Sequence, residues 1–220
     1  MAGDQLSRKK ASRINFPEKI FITGTDTGIG KTLVSAVLLA GLEGKYWKPV
    51  QSGLEDITDT QWVKEKTGLE ESCFIPETFR LRKPLSPHAA AEADGVYIDL
   101  DKFKVPELNE GETLIIEGAG GIMVPLNEKS LMADLIIKCS APVILVSGSL
   151  LGTINHTLLS ISYLKSMGIN ILGVIMNGPE NRTNRDAIER FGKVNVIAEI
   201  GNIKNINPET LKDCFRRNFT

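Results

Sequence analysis

Short apolar runs alternate with longer mixed segments along most of this chain. The runs are continuous rather than alternating, which is typical of strands covered on both faces of a parallel sheet. The segments between them are long enough for crossover helices. The pattern predicts strands at 19–23, 46–50, 113–116, 143–146, 171–176 and 194–198. It predicts helices at 31–42, 59–66, 86–93, 153–167, 184–191 and 208–216.

This order of elements predicts an α/β fold with a doubly wound, mostly parallel sheet flanked by helices. A length of 220 residues suits a single domain. The first strand, a glycine-rich loop and the first helix follow one another directly, as in a P-loop fold. Residues 1–18 are basic and contain no apolar core, so we expect a disordered tail before a catalytic domain at 19–220.

The charge balance and the cysteines narrow the possible partners and compartment. A formal net charge of −1 gives no overall field that would hold the chain on nucleic acid or on an anionic membrane. No apolar run approaches the length of a membrane span. The 3 cysteines have no paired spacing, which indicates reduced thiols. We therefore expect a cytoplasmic protein without nucleic-acid or membrane partners.

The strongest chemical signal is the glycine-rich segment 24–32, which reads GTDTGIGKT. Its glycines let backbone N–H groups close around phosphate oxygens, while the following helix presents its positive end. Lys31 is expected to reach the outer phosphates of a nucleotide, and the Thr32 hydroxyl to bind Mg²⁺. The loop is a variant, because Thr25 occupies the usual first glycine position and Gly24 lies one residue earlier. The alternative is a plain strand-to-helix turn with a solvated lysine.

Carboxylates near the same edge of the predicted sheet are candidate metal ligands. Glu117 follows an apolar strand and precedes the small residues of 118–121. Ligands of parallel sheets bind outside the carboxyl ends of the strands, so Glu117 could hold Mg²⁺ beside the loop. Alternatively, it is a buried structural carboxylate that caps Gly120. Asp59 could supply a second carboxylate, or it could cap a helix together with Thr58.

Lys48 is a candidate second cation. It ends a predicted strand and is followed by Pro49 and a glycine turn, so it should point to the same edge of the sheet. Positioned lysines stabilise the charge that a transferring phosphoryl group develops. The alternative is an exposed lysine at the end of a strand. The histidines, His88 and His156, lie far apart in the sequence and are expected to be helix-start or packing residues.

Five segments, taken in order, resemble the dethiobiotin synthetase family of the P-loop NTPase superfamily. They are GTDTGIGKT, KPVQSG, SPHAAA, EGAGGIMVPL, and LGTINHTLLS with GVIMN. The resemblance extends from residue 20 to about residue 200. That family forms the ureido ring of dethiobiotin from 7,8-diaminononanoate, CO₂ and ATP, with Mg²⁺, and works as a homodimer. The resemblance implies a ligase of biotin biosynthesis.

The resemblance also implies a role for each matching position. The catalytic residues would be Lys31, Lys48 and Thr27. The nucleotide would be bound by Gly28, Ile29, Gly30, Lys31, Thr32, Leu33, Asp59, Glu117, Gly118, Gly120 and Asn177. The ligands of Mg²⁺ would be Thr32, Asp59 and Glu117. The diamine would meet Thr27, Lys48, Ser52, Gly121, Leu151, Gly152 and Asn155, with the segment from Leu151 to Asn155 contributed across the dimer interface.

Two positions concern the nucleotide base. Asn177 matches the asparagine that reads adenine in this family, because an amide offers one donor and one acceptor to the base edge. Alternatively, it is a turn residue before Gly178 and Pro179. Gly201 stands where the family commonly has a proline near the base, so this segment leaves the nucleotide preference open.

A nucleotide-driven switch of the plasmid-partition kind is the competing function. Such proteins share the sheet and the loop, but they carry a second lysine five residues before the loop lysine. This chain has Asp26 there. They often end in a basic amphipathic helix, whereas 211–219 has Arg216 and Arg217 without an evident apolar stripe. A nucleotide-binding module without chemistry also stays open on motifs alone.

Overall fold

A parallel sheet lies at the centre of the structure, a computed structural model that describes residues 14–220. The strands are β1 (Lys19–Gly24), β2 (Lys45–Trp47), β3 (Val50–Ser52), β4 (Phe74–Ile75), β5 (Phe79–Leu81), β6 (Leu114–Gly121), β7 (Val143–Gly148), β8 (Ile171–Asn177) and β9 (Val196–Ile200). The helices are α1 (Lys31–Leu42), α2 (Asp59–Thr67), α3 (Pro87–Asp94), α4 (Met132–Cys139), α5 (Thr153–Ser166), α6 (Arg182–Gly192) and α7 (Pro208–Phe219). Short 3₁₀ turns occur at Glu71–Cys73 and Leu100–Lys102.

The main sheet has 7 strands in the order β4-β2-β6-β1-β7-β8-β9, and every pair of neighbours is parallel. Helices α1, α2 and α7 bury their apolar side chains on one face of this sheet. Helices α3, α4, α5 and α6 do so on the other face. The predicted doubly wound α/β fold is therefore confirmed. The order places β1 and the loop that follows it between β6 and β7, at the middle of the ligand edge.

Alternation along the strands separates the two cores. In β1, Phe21 faces the core that holds α3 to α6, whereas Ile20 and Ile22 face the core that holds α1, α2 and α7. These side chains are fully buried, as expected for a sheet covered on both faces. The loop that follows β1 is consequently attached to a rigid strand with packed neighbours on each side.

The prediction of one strand at 46–50 is wrong, because the chain forms two separate strands there. β2 ends at Trp47, and β3 pairs with β5 in a small second parallel sheet. Pro49 lies between them and has no N–H to continue a ladder, which explains the break. Strands β4 and β5 and helix α4 were not predicted. β4 and β5 have only 2 and 3 residues, too few for a periodic signal. The 8-residue helix α4 was overlooked, although its buried side chains recur at helical spacing.

The C-terminal helix differs from its prediction. Leu211, Phe215 and Phe219 recur at helical spacing and are buried, so α7 does carry an apolar stripe. That stripe packs against the core around α1, where a Cβ on Gly41 would lie 2.0 Å from the Phe215 ring. The stripe is therefore used inside the fold, unlike that of a membrane-binding helix. In the part of the chain described, no helix is both long and apolar enough to cross a bilayer.

Most of the predicted tail at 1–18 lies outside the described residues. Of its described part, Ile14 and Phe16 are half-buried against the core around α1. The Phe16 ring lies edge-on to Phe219, with ring centroids 5.5 Å apart. These contacts join the residues just before β1 to the last helix.

Candidate functional site

The loop between β1 and α1 has a backbone that requires glycine. Gly28 and Gly30 have φ angles of 73° and 97°, in the left-handed region that favours glycine. A Cβ on Gly30 would lie 2.1 Å from Nδ2 of Asn177, so no side chain fits there. That Nδ2 donates a hydrogen bond to the carbonyl of Ile29 at 3.0 Å, which ties the loop to the end of β8. Asn177 thus braces the loop through its side-chain amide.

The loop lysine is folded over its own loop. Lys31 donates from Nζ to the backbone carbonyl of Asp26 at 2.9 Å and is only 7% exposed. The structure therefore excludes a freely solvated lysine at this position. Burial, together with the nearby charge of Lys48, lowers the pKa of Lys31 to about 8. An anion bound in the loop would offset both effects and raise the pKa of Lys31.

A polar cluster lies beside the loop, formed by the buried residues Lys48, Glu117 and Tyr46 and the half-buried residues Asp59 and Thr32. Nζ of Lys48 lies 2.9 Å from Oε1 of Glu117 and 2.6 Å from Oδ2 of Asp59. The Thr32 hydroxyl lies 2.9 Å from Oε1 of Glu117 and 3.1 Å from Oδ1 of Asp59. Tyr46 donates its hydroxyl hydrogen to Oε2 of Glu117 at 2.9 Å. One lysine, one threonine and two carboxylates therefore converge on one point.

Strand register brings Lys48 to Glu117. Tyr46 of β2 aligns with Ile115 of β6, and side chains two residues apart share a face of the sheet. Lys48 and Glu117 each lie two residues further on, so they are neighbours across the two strands. Lys48 is 3% exposed and Glu117 is fully buried, so the lysine is not an exposed residue at a strand end. Glu117 also lies inside β6, which extends to Gly121, rather than at a strand end as predicted.

Opposite charges keep Lys48 and Asp59 ionised in spite of their burial. Burial alone would lower the pKa of Lys48, but Glu117 and Asp59 outweigh it and leave that pKa above its usual value. Burial would likewise raise the pKa of Asp59, but Lys48 and the Thr32 hydroxyl outweigh it and leave that pKa lowered. Burial and the neighbouring carboxylates raise the pKa of Tyr46 well above its usual value, so its hydroxyl remains a donor.

The start of α2 settles the role of Asp59 in its helix. Thr58 is the N-cap and forms a capping box with Gln61, so Asp59 is not the cap. Gln51 accepts a hydrogen bond from the Asp59 backbone N–H at 3.1 Å. The Asp59 carboxylate is therefore left to Lys48 and Thr32. Gln51 and Tyr46 were both missed as contributors to the site, although alternation along the strand places Tyr46 on the same face as Lys48.

A cavity of about 690 Å³ opens in front of the cluster. Ser52 lines it, and the Ser52 hydroxyl is buried without a hydrogen-bond partner among the described residues. Leu85, from the loop before α3, and Pro87, at the start of that helix, also line the cavity. The predicted site residues that line the cavity are Thr27, Gly28, Gly30, Lys31, Thr32, Lys48, Ser52, Asp59, Glu117 and Gly120.

The other predicted residues lie around this cavity or away from it. Gly118 accepts a hydrogen bond from Lys48 through its carbonyl at 3.2 Å, and Leu33 packs into the core beneath α1. Gly121 lines a neighbouring groove together with Thr27, Met123 and Leu159, called here the Met123 groove. Gly201 lies further away, beside Cys214 and Arg217.

The start of α5 is a separate region. Leu151 is fully exposed, and Gly152 and Asn155 are exposed beside it. Leu151 lines a groove behind the phosphate loop together with Thr25, His156 and Asn177, called here the Leu151 groove. The structure therefore does not bring these residues into the cavity that holds Lys48 and Ser52.

The donor set of the cluster suits Mg²⁺. Thr32, Asp59 and Glu117 offer only oxygen atoms, which are the ligands that Mg²⁺ prefers. Among residues 14–220, no group of three or more His, Cys, Asp or Glu residues could hold a metal ion by itself. Mg²⁺ commonly takes one or two carboxylates and completes its shell with water and substrate phosphates. The residues present therefore fit this ion in the company of a nucleotide.

Solved structures similar to this one share its fold. The MinC:MinD cell division protein complex of Aquifex aeolicus matches with a TM-score of 0.51 and 16% identity, over 90% of this chain and 86% of that chain. A ParA family ATPase from Chlorobium tepidum matches with a TM-score of 0.52 and 10% identity, over 90% of each chain. Likeness at such low identity concerns the fold alone.

Sequence relatives are much closer. An AAA domain family matches residues 18–210. The ATP-dependent dethiobiotin synthetase BioD of Nitrobacter hamburgensis is 44% identical over 201 residues, which cover 91% of this chain and 94% of that protein. The protein of the same name from Brucella ovis is 43% identical with the same coverage. This chain therefore belongs to the family of ATP-dependent dethiobiotin synthetases.

Proposed function

We propose that this chain uses ATP to join CO₂ to 7,8-diaminononanoate and to close the ureido ring of dethiobiotin, with Mg²⁺ as cofactor. The single observation that carries the proposal is the convergence of Lys31, Lys48, Thr32 and two carboxylates on one cavity at the phosphate loop. Family membership supports the same reaction, since relatives with this name match along 91% of the chain.

The reaction needs cations that stabilise negative charge rather than a nucleophilic side chain. One amine of the diamine adds to CO₂ and loses a proton, which gives a carbamate. A carbamate oxygen then attacks the γ-phosphorus, and the bond from that phosphorus to the β-phosphate oxygen breaks, which releases ADP. The second amine attacks the carbamoyl carbon, loses its proton and expels phosphate. Because each species before ring closure is anionic, positioned cations lower its energy.

The chain supplies these cations on rigid elements. Lys31 exchanges the Asp26 carbonyl for the β- and γ-phosphates, because an ammonium group has three donors and prefers an anionic acceptor. The loop glycines and the start of α1 surround the phosphates with N–H groups. When bound at Thr32, Asp59 and Glu117, Mg²⁺ would add positive charge at the phosphate oxygens. Lys48 faces the same cavity and orients the carbamate.

Two hydroxyls complete the reacting end of the cavity. The Ser52 hydroxyl can donate to the carbamate, since it has no partner within residues 14–220. Thr27 lines both the cavity and the Met123 groove, so it lies between the nucleotide and the route of the diamine. Asn177 would bind the adenine through its free carbonyl oxygen, which still leaves Nδ2 on the loop.

The far carboxylate of the diamine requires a second copy of this chain in our proposal. Free backbone N–H groups at the start of α5 suit a carboxylate. In one chain this helix start lies on the Leu151 groove, outside the cavity. The surface around it exposes large apolar side chains, namely Met123, Leu150, Leu151 and Leu159. Such a patch is typical of a protein interface, so we assign this face to a homodimer with shared sites.

An omission assay tests the reaction. The protein is incubated with the diamine, bicarbonate, Mg²⁺ and ATP, and phosphate release is measured with each component left out in turn. The proposed enzyme needs all four. Phosphate release that ignores the diamine would instead favour a nucleotide-driven switch.

Sedimentation measurements test the dimer. Leu159→Asp puts a charge in the proposed interface and should convert a dimer into a monomer at micromolar concentration. Ile137→Asp is the matched control, because Ile137 of α4 is also an exposed apolar residue but lines neither the Leu151 groove nor the Met123 groove. A wild-type protein that sediments as a monomer at every concentration would remove the dimer proposal.

We also place the protein in the cytoplasm and its catalytic domain at residues 19–220. The cysteines, Cys73, Cys139 and Cys214, are free thiols, which suits a reducing compartment. Cell fractionation with an antibody against the chain tests the location. A truncated protein that begins at residue 19 tests the boundary, because it should retain turnover.

A further inference from the structure

Tyr46 is a fully buried tyrosine at the back of the active-site cluster. It lies in β2, between β4 and β6, and its ring packs beside Phe74 with ring centroids 6.1 Å apart. The Tyr46 hydroxyl donates to Oε2 of Glu117 at 2.9 Å. The ring therefore packs in the core, while the hydroxyl forms a hydrogen bond with a single carboxylate.

The two oxygens of Glu117 have different partners. Oε1 faces the Thr32 hydroxyl and Nζ of Lys48, both at 2.9 Å. Oε2 faces Tyr46. An ionised carboxylate only accepts hydrogen bonds, so the tyrosine hydroxyl must donate. The terminal torsion of a glutamate is broad, so without this donor the plane of the carboxylate could rotate and move Oε1 away from the threonine.

We propose that Tyr46 is a positioning residue that holds Glu117 with Oε1 turned toward Thr32 and the site of Mg²⁺. The inference rests on the proposed function, since it takes Glu117 as a metal ligand there. Partners behind a ligand orient it, and their loss typically weakens metal affinity or activity by about 10- to 100-fold. Tyr46 never touches the nucleotide in this role, because it lies behind the carboxylate as seen from the cavity.

The test is a Mg²⁺ titration of Tyr46→Phe, which keeps the ring and removes the hydroxyl. Melting temperature is recorded with excess ADP present, so the readout needs neither turnover nor the diamine. We expect the half-saturating Mg²⁺ concentration to rise about tenfold or more.

Two comparisons separate positioning from a general structural effect. Tyr97→Phe removes the hydroxyl of an exposed tyrosine and should leave the Mg²⁺ titration unchanged. ADP affinity measured with a metal chelator should be equal in Tyr46→Phe and the wild type, because the phosphate loop is untouched. In a Glu117→Gln background, Tyr46→Phe should have no further effect on the Mg²⁺ titration, since the two residues act as one unit.

Three results would overturn the inference. The first is a Tyr46→Phe titration that coincides with the wild type. The second is an equal loss of ADP affinity without metal, which would indicate damage to the fold. The third is a wild-type protein whose melting temperature with ADP ignores Mg²⁺. A wild type that responds to Mg²⁺ yet needs no diamine for phosphate release would refute the proposed function and leave the role of Tyr46 intact.

Discussion

The chain treats the two sides of its phosphate loop differently. On the cavity side, Lys48 and Glu117 are almost completely buried and bonded to each other. On the other side, Leu151 at the start of α5 is fully exposed. The charged side chains of the first region find their partners within one chain, whereas the side chains of the second region are exposed on the surface. In our proposal, this difference means that the fold of one chain holds the phosphates, while an interface between two copies recognises the far end of the diamine.

Physical chemistry explains why the two sides differ. A buried ion is costly unless an opposite charge and hydrogen bonds surround it, so the cluster must be assembled within one rigid fold. Free N–H groups at a helix start cost little free energy while water solvates them. The start of α5 can therefore remain exposed in a single chain. Four predictions probe this contrast, from the largest expected effect to the smallest.

Lys31→Ala should reduce ATP turnover by about 1,000-fold, because it removes a cation from the developing charge on the phosphates. The protein should stay folded, since the lysine contacts only the Asp26 carbonyl of its own loop among the hydrogen bonds described. Turnover and melting temperature are measured together. Lys129→Ala, at an exposed lysine, is the control. Unchanged turnover in Lys31→Ala would contradict the assignment of the loop.

Glu117→Gln should lower the rate at moderate Mg²⁺ by about 100-fold and raise the half-saturating Mg²⁺ concentration. The amide keeps the shape of the side chain but loses a negative charge that Mg²⁺ and Lys48 both use. The measurement is a titration of metal against rate. Glu128→Gln makes the same substitution at an exposed glutamate and should leave the Mg²⁺ titration unchanged. Equal curves for both variants would show that Glu117 has no part in metal binding.

Gly30→Ala should raise the KM for ATP about tenfold, because its Cβ would lie 2.1 Å from Nδ2 of Asn177 and force the loop to move. Both Gly30 and Gly111 have positive φ angles, and nothing lies within 4 Å of a Cβ on Gly111. Gly111→Ala is thus a control that introduces similar backbone strain, of about 1 kcal/mol, without the clash. Kinetics and melting curves of both variants separate strain from the clash. A normal KM in Gly30→Ala would mean that the loop is not braced by Asn177.

Mixing two defective variants should restore activity if sites are shared between subunits. Lys31→Ala lacks the loop cation, and Asn155→Asp places a negative charge at the start of α5, where the substrate carboxylate would bind. Co-expression of both should give about a quarter of wild-type activity, because half of the dimers are mixed and each has one intact site.

The matched control for this mixing experiment pairs wild type with the double variant Lys31→Ala/Asn155→Asp. Shared sites predict about a quarter of wild-type activity again, since mixed dimers then have no intact site, whereas self-contained sites predict about half. No recovery in the first mixture, together with half activity in the second, would break the contrast between the two regions.

Sequence reasoning succeeded where the information was local. The phosphate loop is contiguous, so its glycines and Lys31 could be recognised together. The edge rule for parallel sheets correctly brought Lys48 and Glu117 to one end of the sheet, although they are 69 residues apart. The rule could not show whether Lys48 is exposed or is buried in an ion pair with Glu117. Burial of the pair depends on the register of β2 against β6.

Most of the features that sequence reasoning missed are either very short or depend on contacts between separate elements. Strands β4 and β5 have too few residues for a period to emerge, and they exist because neighbouring strands offer them hydrogen bonds. The stripe of α7 was overlooked, although it spans three buried residues at helical spacing. Tyr46 gained its role only from Glu117, 71 residues away, and Gln51 from the start of the next helix at Asp59.

The sequence by itself determined the phosphate loop, most of the longer strands and helices, and the family, because the signal for each lies in contiguous residues. Tertiary structure alone decided which charges meet. Lys48 lies between Glu117 and Asp59 because two strands and a helix start converge there, and burial makes such opposite charges depend on one another. The pairing of buried ions depends on distances in space between residues that are far apart in the chain, so no single stretch of sequence specifies it.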